Sequence, residues 1–244
     1  MIEMFRNCSH YSHHSTYFER NGGGKIVRVR KVAFDGIGAD ELNREHQGLG
    51  WYAHQRKLDE NKIVIESNIC DQYGYLILKY FEGRQVRFPI SPTLITQEFK
   101  TAYEHYINIF RADDFSISHG DYSLCNHIFS DNDDVCWLID WEQFNEELPR
   151  GYDIIYCLVE PFLFWVNARK KCQPGAVKLA GRLLSKAQQE IGFNHEIIST
   201  PAAWLRDCAR KNKQIFGCQL QKVPFVASPP ENIASVDKLF RECK

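Results

Sequence analysis

Short apolar runs, separated by turn residues, dominate the first 82 residues of the chain. They predict β-strands at 16–20, 25–34, 62–68 and 73–81. The segment Asn21-Gly22-Gly23-Gly24 joins the first two strands and predicts a hairpin. Between the second and third strands, apolar residues recur at helical spacing. They predict one helix from about 38 to 58, with Asp40 available as its capping residue.

Helical spacing dominates the chain from residue 83 onward. A set of aromatic residues three and four apart predicts a helix that starts near Ser91 or Thr93 and ends near Arg111. Further helices are predicted at 153–170, 175–192, 201–216 and 230–243, with a loop at 224–230. A hairpin of two strands is predicted at 126–130 and 135–139. The pattern predicts an α+β protein with a β-rich domain at 1–82 and a mostly helical domain at 83–244.

Three polar side chains stand at the ends of predicted strands in the middle of the chain. Asp121 lies in His119-Gly120-Asp121, Asn126 follows five residues later, and Asp140 lies in Ile139-Asp140-Trp141-Glu142. A carboxylate can orient a hydroxyl group and accept its proton. An amide oxygen and a second carboxylate are suitable ligands for magnesium on nucleotide phosphates.

This arrangement resembles the aminoglycoside phosphotransferase and choline kinase families, relatives of the protein kinases, in its H-G-D-x4-N and I-D-W-E motifs. The resemblance covers about residues 9–160 in element order, and its sharp motifs lie within 119–142. It implies a two-lobed protein-kinase-like fold. The small N-lobe (1–82) would hold a β-sheet and one main helix. The C-lobe (83–244) would be mostly helical, and the nucleotide would lie between them.

The resemblance assigns a role to each residue of the central motifs. It implies that Asp121 is the catalytic residue and that Asn126 and Asp140 bind Mg²⁺. It implies that His119 and Asp153 brace the catalytic loop, and Asp153 is also placed to cap the helix that follows. His119 as a general base, and a metal-positioning or purely structural Glu142, remain alternatives.

A lysine on the second strand is expected to contact the α- and β-phosphates of ATP. The resemblance implies Lys31 for this role, held by Glu45 of the following helix. Glu41 is a competing partner for the lysine. The competing cations are Lys25, Arg28 and Arg30.

The Ser/His-rich segment 8–15 occupies the place of the nucleotide-covering loop. Ser12 and Ser15 are the candidates there for contacts with phosphate. A metal site built from His10, His13 and His14 is one alternative, and a solvated polar loop is another.

The segment around Lys79, Tyr80 and Phe81 resembles the hinge between the lobes, where backbone groups would pair with adenine. A plain strand followed by the Gly83 turn is the alternative. At 131–134 an acidic run looks superficially like a calcium loop, but it lacks the required glycine and glutamate, so we predict a solvated turn.

Composition adds few constraints on function. The formal net charge of -1 gives no reason to expect nucleic acid as a partner. The chain has nine cysteines, an odd number, and no C-x-x-C pair. This pattern is typical of reduced thiols rather than of a disulfide framework. The chain lacks a run of about 18 apolar residues, and its first residues do not resemble a signal peptide. We therefore expect a cytoplasmic protein without an integral membrane segment.

The predicted function is an ATP- and Mg²⁺-dependent transfer of the γ-phosphate to a hydroxyl of a small molecule. A sugar, an amino sugar or an amino alcohol are all open as the acceptor. A kinase for a cell-surface saccharide or a protein is an alternative, and so is a nucleotide-binding module without turnover. An acidic or aromatic pocket would favour a cationic acceptor. Candidates for such a pocket are Glu146, Glu147, Glu160, Trp165 and Trp204.

Overall fold

The structure is a computed structural model that describes residues 2–4, 13–87, 95–113, 115–132, 134–144, 147–216, 220–221 and 223–242. The chain forms two compact units. The first comprises Met1–Glu82 and Asp140–Phe144, and the second comprises Gly83–Ile139 and Asn145–Lys244. The predicted α+β class is confirmed, with an antiparallel sheet near the N-terminus and a mostly helical remainder.

A five-stranded antiparallel sheet forms the framework of the first unit. Its strands are β1 (Ile2–Met4), β2 (His14–Arg20), β3 (Ile26–Ala33), β4 (Val64–Cys70) and β5 (Tyr73–Lys79), in the spatial order β1-β2-β3-β5-β4. The predicted hairpin of β2 and β3 is confirmed, and Thr16 pairs with Lys31 in its register. Strand β2 begins two residues earlier than predicted. Ser15 therefore lies within a strand rather than in a covering loop, and Ser12 lies outside the described residues.

One long helix, α1 (Gly36–Gln55), packs against β3, β4 and β5. It begins earlier than predicted because Asp35 caps it, accepting a hydrogen bond from the Gly38 N–H at 2.8 Å. Asp40 is an exposed residue within the helix, beyond its first turn, so its predicted capping role is wrong. The buried face of α1 carries two acids, Glu41 and Glu45, among apolar and small residues. Acids on a buried helix face require partners, and these are found in the cluster described below.

The Asp140–Phe144 segment belongs to the first unit, although the sequence-based division placed it in the second domain. Trp141 is the physical reason, because its buried indole packs on α1. Its ring centroid lies 5.7 Å from that of Trp51 and 5.3 Å from that of Tyr52. Gly48 makes this approach possible, since an added Cβ would lie 2.8 Å from both Cβ and Cε3 of Trp141.

Gly48→Ala should destabilise the protein by about 1–3 kcal/mol, because the new methyl group would overlap the Trp141 side chain. Gly50→Ala in the same helix is the matched control. The three atoms nearest to its Cβ would be those of the Glu60 carboxyl, the first at 3.3 Å and all at the end of a flexible side chain. Because alanine favours helix over glycine, the control should be neutral or stabilising by up to about 1 kcal/mol. Urea unfolding followed by tryptophan fluorescence measures both, and equal stability of the two variants would contradict the packing argument.

The second unit is built around helix α3 (Tyr152–Asn167). It contacts four other helices, which are α2 (Ile95–Phe110), α4 (Pro174–Ile191), α5 (Pro201–Lys211) and α8 (Pro230–Glu242), and also a short helix, α7 (Pro224–Ala227). Almost the whole circumference of α3 is buried, which fits its strongly apolar sequence. A small antiparallel sheet of β6 (Arg84–Gln85), β7 (His127–Phe129) and β8 (Val135–Leu138) completes the unit.

Two details of the helical prediction are wrong. The helix predicted at 201–216 is interrupted at Asn212, whose backbone and side-chain N–H groups both donate to the Cys208 carbonyl. The short helix α6 (Lys213–Phe216) follows this break. The loop predicted at 224–230 contains α7, whose first residue is a proline, a position that needs no N–H.

Two further expectations from the sequence concern the cysteines and the absence of a membrane-spanning segment. Within the described residues, Cys70, Cys125, Cys157, Cys172 and Cys208 form no disulfide bond. Among the helices of the described ranges, none combines the length and apolar character that crossing a bilayer requires.

Candidate functional site

The predicted pair of Lys31 and Glu45 is present in the first unit, but it is part of a larger network. The Lys31 ammonium lies 2.7 Å from Glu45 Oε2, 2.5 Å from Asp140 Oδ1 and 2.8 Å from Glu142 Oε1. A lysine ammonium has three N–H donors, so three carboxylates can be satisfied at once. We call the set of Lys31, these three acids, His14 and Glu41 the Lys31 cluster.

The competing assignments for Lys31 are resolved by its surroundings. Glu41 pairs with His14, at 3.2 Å between Oε2 and Nδ1. Lys25 is exposed and pairs with Glu82 at 2.6 Å. Only Lys31 among the candidate cations has its side chain almost fully buried against the α1 acids, with 6% of it exposed. Side chains of β3 alternate between the two faces of the sheet, and this alternation places Lys31 on the inner face.

The protonation of the Lys31 cluster follows from burial and charge. Burial lowers the pKa of Lys31, but the charges of Asp140, Glu142 and Glu45 outweigh it and hold the pKa well above its usual value. Burial raises the pKa of Glu45 to about 7, against the pull of the Lys31 charge. Burial would also raise the pKa of Glu142, but Lys31 and His14 together hold it far below the usual value. Lys31 and Glu142 are therefore charged at neutral pH.

Asp140 is the member of the Lys31 cluster that solvent reaches. Its side chain is 48% exposed, and its backbone has a φ of 65°. Such a left-handed conformation is uncommon for residues with a Cβ, although aspartate tolerates it better than most. One carboxylate oxygen faces Lys31. The exposed carboxylate can therefore offer its other oxygen to a cation in solution, as its predicted role requires.

Two groups of metal-ligating side chains lie close together within the described part of the first unit. One is Glu45, Asp140 and Glu142, and the other is His14, Glu41 and Glu142. In the first group the Lys31 ammonium already occupies the point on which the carboxylates converge. The alternative of a metal site built from histidines would need His13 and His14 to share a ligand geometry, but His13 pairs with Asp35 at 2.6 Å while His14 pairs with Glu41 and Glu142. His10 lies outside the described residues.

Three residues were predicted to form the hinge, and the backbone N–H groups of two of them are already hydrogen bonded within the first unit. The Lys79 N–H donates to the Ile63 carbonyl at 2.9 Å, and the Tyr80 N–H donates to the Val27 carbonyl at 3.2 Å. These donors are used inside the sheet, so neither N–H is available to pair with a base. Phe81 lies just beyond β5 and is buried, with 9% of its surface exposed.

In the second unit, Asp121 lies on a tightly held loop of residues 119–126, which we call the Asp121 loop. The buried carboxylate of Asp153 accepts hydrogen bonds from the N–H groups of His119 (2.6 Å) and Gly120 (2.9 Å). Gly120 has a φ of 86°, a conformation for which glycine is the favoured residue. The predicted bracing role of Asp153 therefore has a direct geometric basis.

The capping role predicted for Asp153 is wrong. The residue that precedes α3 is Gly151, which offers no side chain, and Asp153 lies inside the first turn. Its carboxylate points to the Asp121 loop instead of to the N–H groups of its own helix. Burial raises its pKa to about 7, with an added contribution from the Asp121 charge, against the effect of the two N–H donors.

His119 braces the same loop through its ring. Nε2 lies 2.9 Å from the Ile139 carbonyl and must therefore donate, while Nδ1 accepts from the Asp121 N–H at 3.3 Å. A single neutral tautomer satisfies both bonds. Because both nitrogens are used inside the protein, this geometry favours the predicted bracing role over the alternative of a general base.

Asn126 lies next to Asp121 in a short 3₁₀ turn, Leu124–Asn126. Its Nδ2 donates to the Asp121 carbonyl at 2.8 Å and to Asp121 Oδ2 at 3.1 Å. Both bonds use the nitrogen, so the amide oxygen is the atom that can bind a cation. The amide also holds the Asp121 carboxylate in one orientation, a function that the sequence prediction did not include.

Glu160, a candidate for an acceptor pocket, is hydrogen bonded to neighbouring side chains of the second unit. Its carboxyl group accepts from Ser123 Oγ at 2.5 Å and from the Tyr156 hydroxyl at 3.0 Å. Burial, and then the Asp121 charge, raise its pKa to about 8. Trp165 is fully buried, Glu147 is exposed, and Glu146 lies outside the described residues. Trp204 is half-buried, with its ring 6.3 Å from that of Tyr152.

The sequence prediction did not include the pairing of His14 with Glu41 and Glu142, or the contact of Arg44 with the Glu142 carbonyl. The burial of the two glutamates could have been predicted from the sequence. Glu41 and Glu45 lie four residues apart on the face of α1 that carries Leu42 and Leu49. Comparison of the chain with protein-family models and with curated proteins finds no match.

Proposed function

We propose that the protein is an ATP- and Mg²⁺-dependent phosphotransferase that transfers the γ-phosphate to a hydroxyl of a small molecule, on a protein-kinase-like fold. The observation that carries this proposal is the Lys31 cluster. A lysine of β3, a glutamate of α1 and the aspartate of I-D-W-E meet at hydrogen-bonding distance. The same combination positions the phosphates and the metal in protein kinases.

The charge of the Lys31 cluster supports a role with Mg²⁺. Four carboxylates face two cationic side chains, so the cluster has an excess of negative charge when its acids are ionised. Oxygen ligands and negative charge suit a hard divalent cation. Asp140, with its exposed carboxylate, would hold the ion in the first unit, and the resemblance assigns a ligand role to Asn126 as well. The chemistry that Mg²⁺ supplies when bound is neutralisation of charge on the phosphate oxygens.

Lys31 would bind phosphate oxygens as a fixed positive charge. It stays protonated because its three carboxylate partners raise its pKa. Glu45 and Glu142 hold the ammonium from within the unit, which limits its rotation. A charge fixed in this way needs little reorganisation when negative charge develops on the transferred group.

Asp121 would orient the acceptor hydroxyl and accept its proton. Asn126 holds the carboxylate, and the N–H bonds to Asp153 hold the loop that carries it. Phosphoryl transfer depends mainly on positioning and charge compensation, so a rigid carboxylate of this kind suffices.

Asp121→Asn tests the proposal. Turnover should fall by about 10²- to 10⁴-fold, while stabilisation by Mg²⁺ and ATP is retained, because the variant loses the base but keeps the nucleotide site. Turnover is measured as ADP release with a panel of amino alcohols, aminoglycosides and monosaccharides. Binding is measured as the increase in melting temperature, which corresponds to about 2.7 kcal/mol at a ligand concentration of 100 Kd.

Asp134→Asn is the matched control, since Asp134 is an exposed acid in the turn between β7 and β8. It should keep both turnover and binding. Full phosphotransfer by Asp121→Asn would disprove the assigned role of Asp121. A wild-type protein that Mg²⁺ and ATP do not stabilise would refute the nucleotide site, and binding without turnover would favour a non-catalytic module.

A further inference from the structure

His14 is a buried histidine that faces a carboxylate on each side of its ring. It is the first residue of β2 and is 9% exposed. Nδ1 lies 3.2 Å from Glu41 Oε2, and Nε2 lies 3.0 Å from Glu142 Oε1. Only the protonated imidazolium can donate from both nitrogens at once. The geometry therefore describes a buried cation between two acids.

The titration of His14 agrees with this geometry. Burial lowers its pKa, but the hydrogen bonds to Glu142 and Glu41 and the charge of Glu142 outweigh burial, while Lys31 opposes them. The net effect raises the pKa to about 10. His14 is thus expected to carry its charge throughout the physiological range.

Glu142 is held by donors from three different elements. One oxygen, Oε1, accepts from Lys31 of β3 at 2.8 Å and from His14 of β2 at 3.0 Å. Its backbone carbonyl accepts from Arg44 Nε of α1 at 2.8 Å. A single carboxylate oxygen therefore joins the two cations, and its position limits where the Lys31 ammonium can lie.

We infer that His14 is a positioning residue, which fixes the Glu142 carboxylate and thereby sets the position of the Lys31 ammonium for a nucleotide phosphate. The inference rests on the proposed function for its catalytic consequence. In the absence of His14, the charge of Glu142 would be compensated mainly by Lys31. The lysine would then be drawn toward Glu142 and away from the exposed Asp140.

His14→Gln should raise the KM for Mg·ATP by about 10- to 100-fold, with a smaller change in kcat, because a displaced charge weakens phosphate binding. In a Glu142→Gln background the same change should have less than about a twofold effect, since the two residues act through one interaction. His13→Gln is the matched control, because the neighbouring His13 pairs with Asp35 outside the Lys31 cluster. It should leave both constants unchanged.

Selective ¹⁵N labelling of histidine gives a readout that needs neither ATP nor a variant of His14. At pH 8, both nitrogens of His14 should be protonated in the NMR spectrum of the full chain, and they should remain so until the pH approaches about 10. A neutral His14 ring at pH 8 would overturn the inference, even if His14→Gln failed to fold. An unchanged KM in a folded His14→Gln variant would overturn it as well. Failure of the wild type to bind ATP would instead count against the proposed function.

Discussion

Lys31→Met should destabilise the protein by about 3–5 kcal/mol and abolish stabilisation by Mg²⁺ and ATP. The methionine keeps the length and apolar stem of lysine but removes the ammonium that faces Glu45, Asp140 and Glu142 together. Removing one partner of a buried ion pair leaves uncompensated charge, which is the costly change. Urea unfolding measures the first effect, and the increase in melting temperature with nucleotide measures the second.

Two further variants separate charge from packing in this experiment. Adding Glu45→Gln to Lys31→Met should restore part of the stability, because it removes the most deeply buried of the three acids, whose side chain is only 1% exposed. Nucleotide binding should not return. Lys25→Met is the matched lysine control, and its exposed pair with Glu82 predicts a change within about 0.5 kcal/mol. A Lys31→Met protein as stable as the wild type would contradict the charge balance described for the Lys31 cluster.

The pairing of Lys31 with Glu45 was predictable because both residues lie in strongly periodic elements. Strand alternation predicts which side chains lie on the buried face of the sheet, and helical spacing predicts the same for the helix. Few pairings of a buried lysine with a buried acid are then possible. The resemblance to known kinases then chose Glu45 over Glu41. The role of Glu142 remained open because it follows Asp140 in an irregular segment, where no periodicity predicts the direction of a side chain.

The local sequence pattern did not predict the contacts of His14 or Asp153, although the resemblance implied that Asp153 braces the catalytic loop. His14 begins a strand whose start was predicted two residues too late, so its ring was assigned to a loop. Asp153 has the sequence context of a helix cap, but its carboxylate bonds to a segment 33 residues earlier in the chain. Long-range hydrogen bonds of this kind depend on how elements pack, which local propensity does not determine. For this reason the residues that hold the candidate site were harder to predict than the residues that form it.

Asp153→Ala should destabilise the protein by about 2–5 kcal/mol and reduce turnover more than any change in stability explains. The substitution leaves the buried N–H groups of His119 and Gly120 without their acceptor, at about 1–3 kcal/mol for each group. The Asp121 loop would then lose the contact that fixes its backbone at His119 and Gly120. Asp153→Asn keeps one acceptor oxygen, so it should lie between the wild type and Asp153→Ala in both measurements.

Asp237→Ala is the matched control for this prediction, because the chain uses the same device at a second place. The Asp237 carboxylate in α8 accepts from the N–H groups of Ala202 (2.8 Å) and Ala203 (3.3 Å) at the start of α5. Its removal should cost a similar amount of unfolding free energy and leave kcat unchanged below the unfolding transition. If both variants lost stability and activity in equal proportion, the brace at Asp153 would be structural only. A selective loss of kcat in Asp153→Ala would instead connect the carboxylate to the orientation of Asp121.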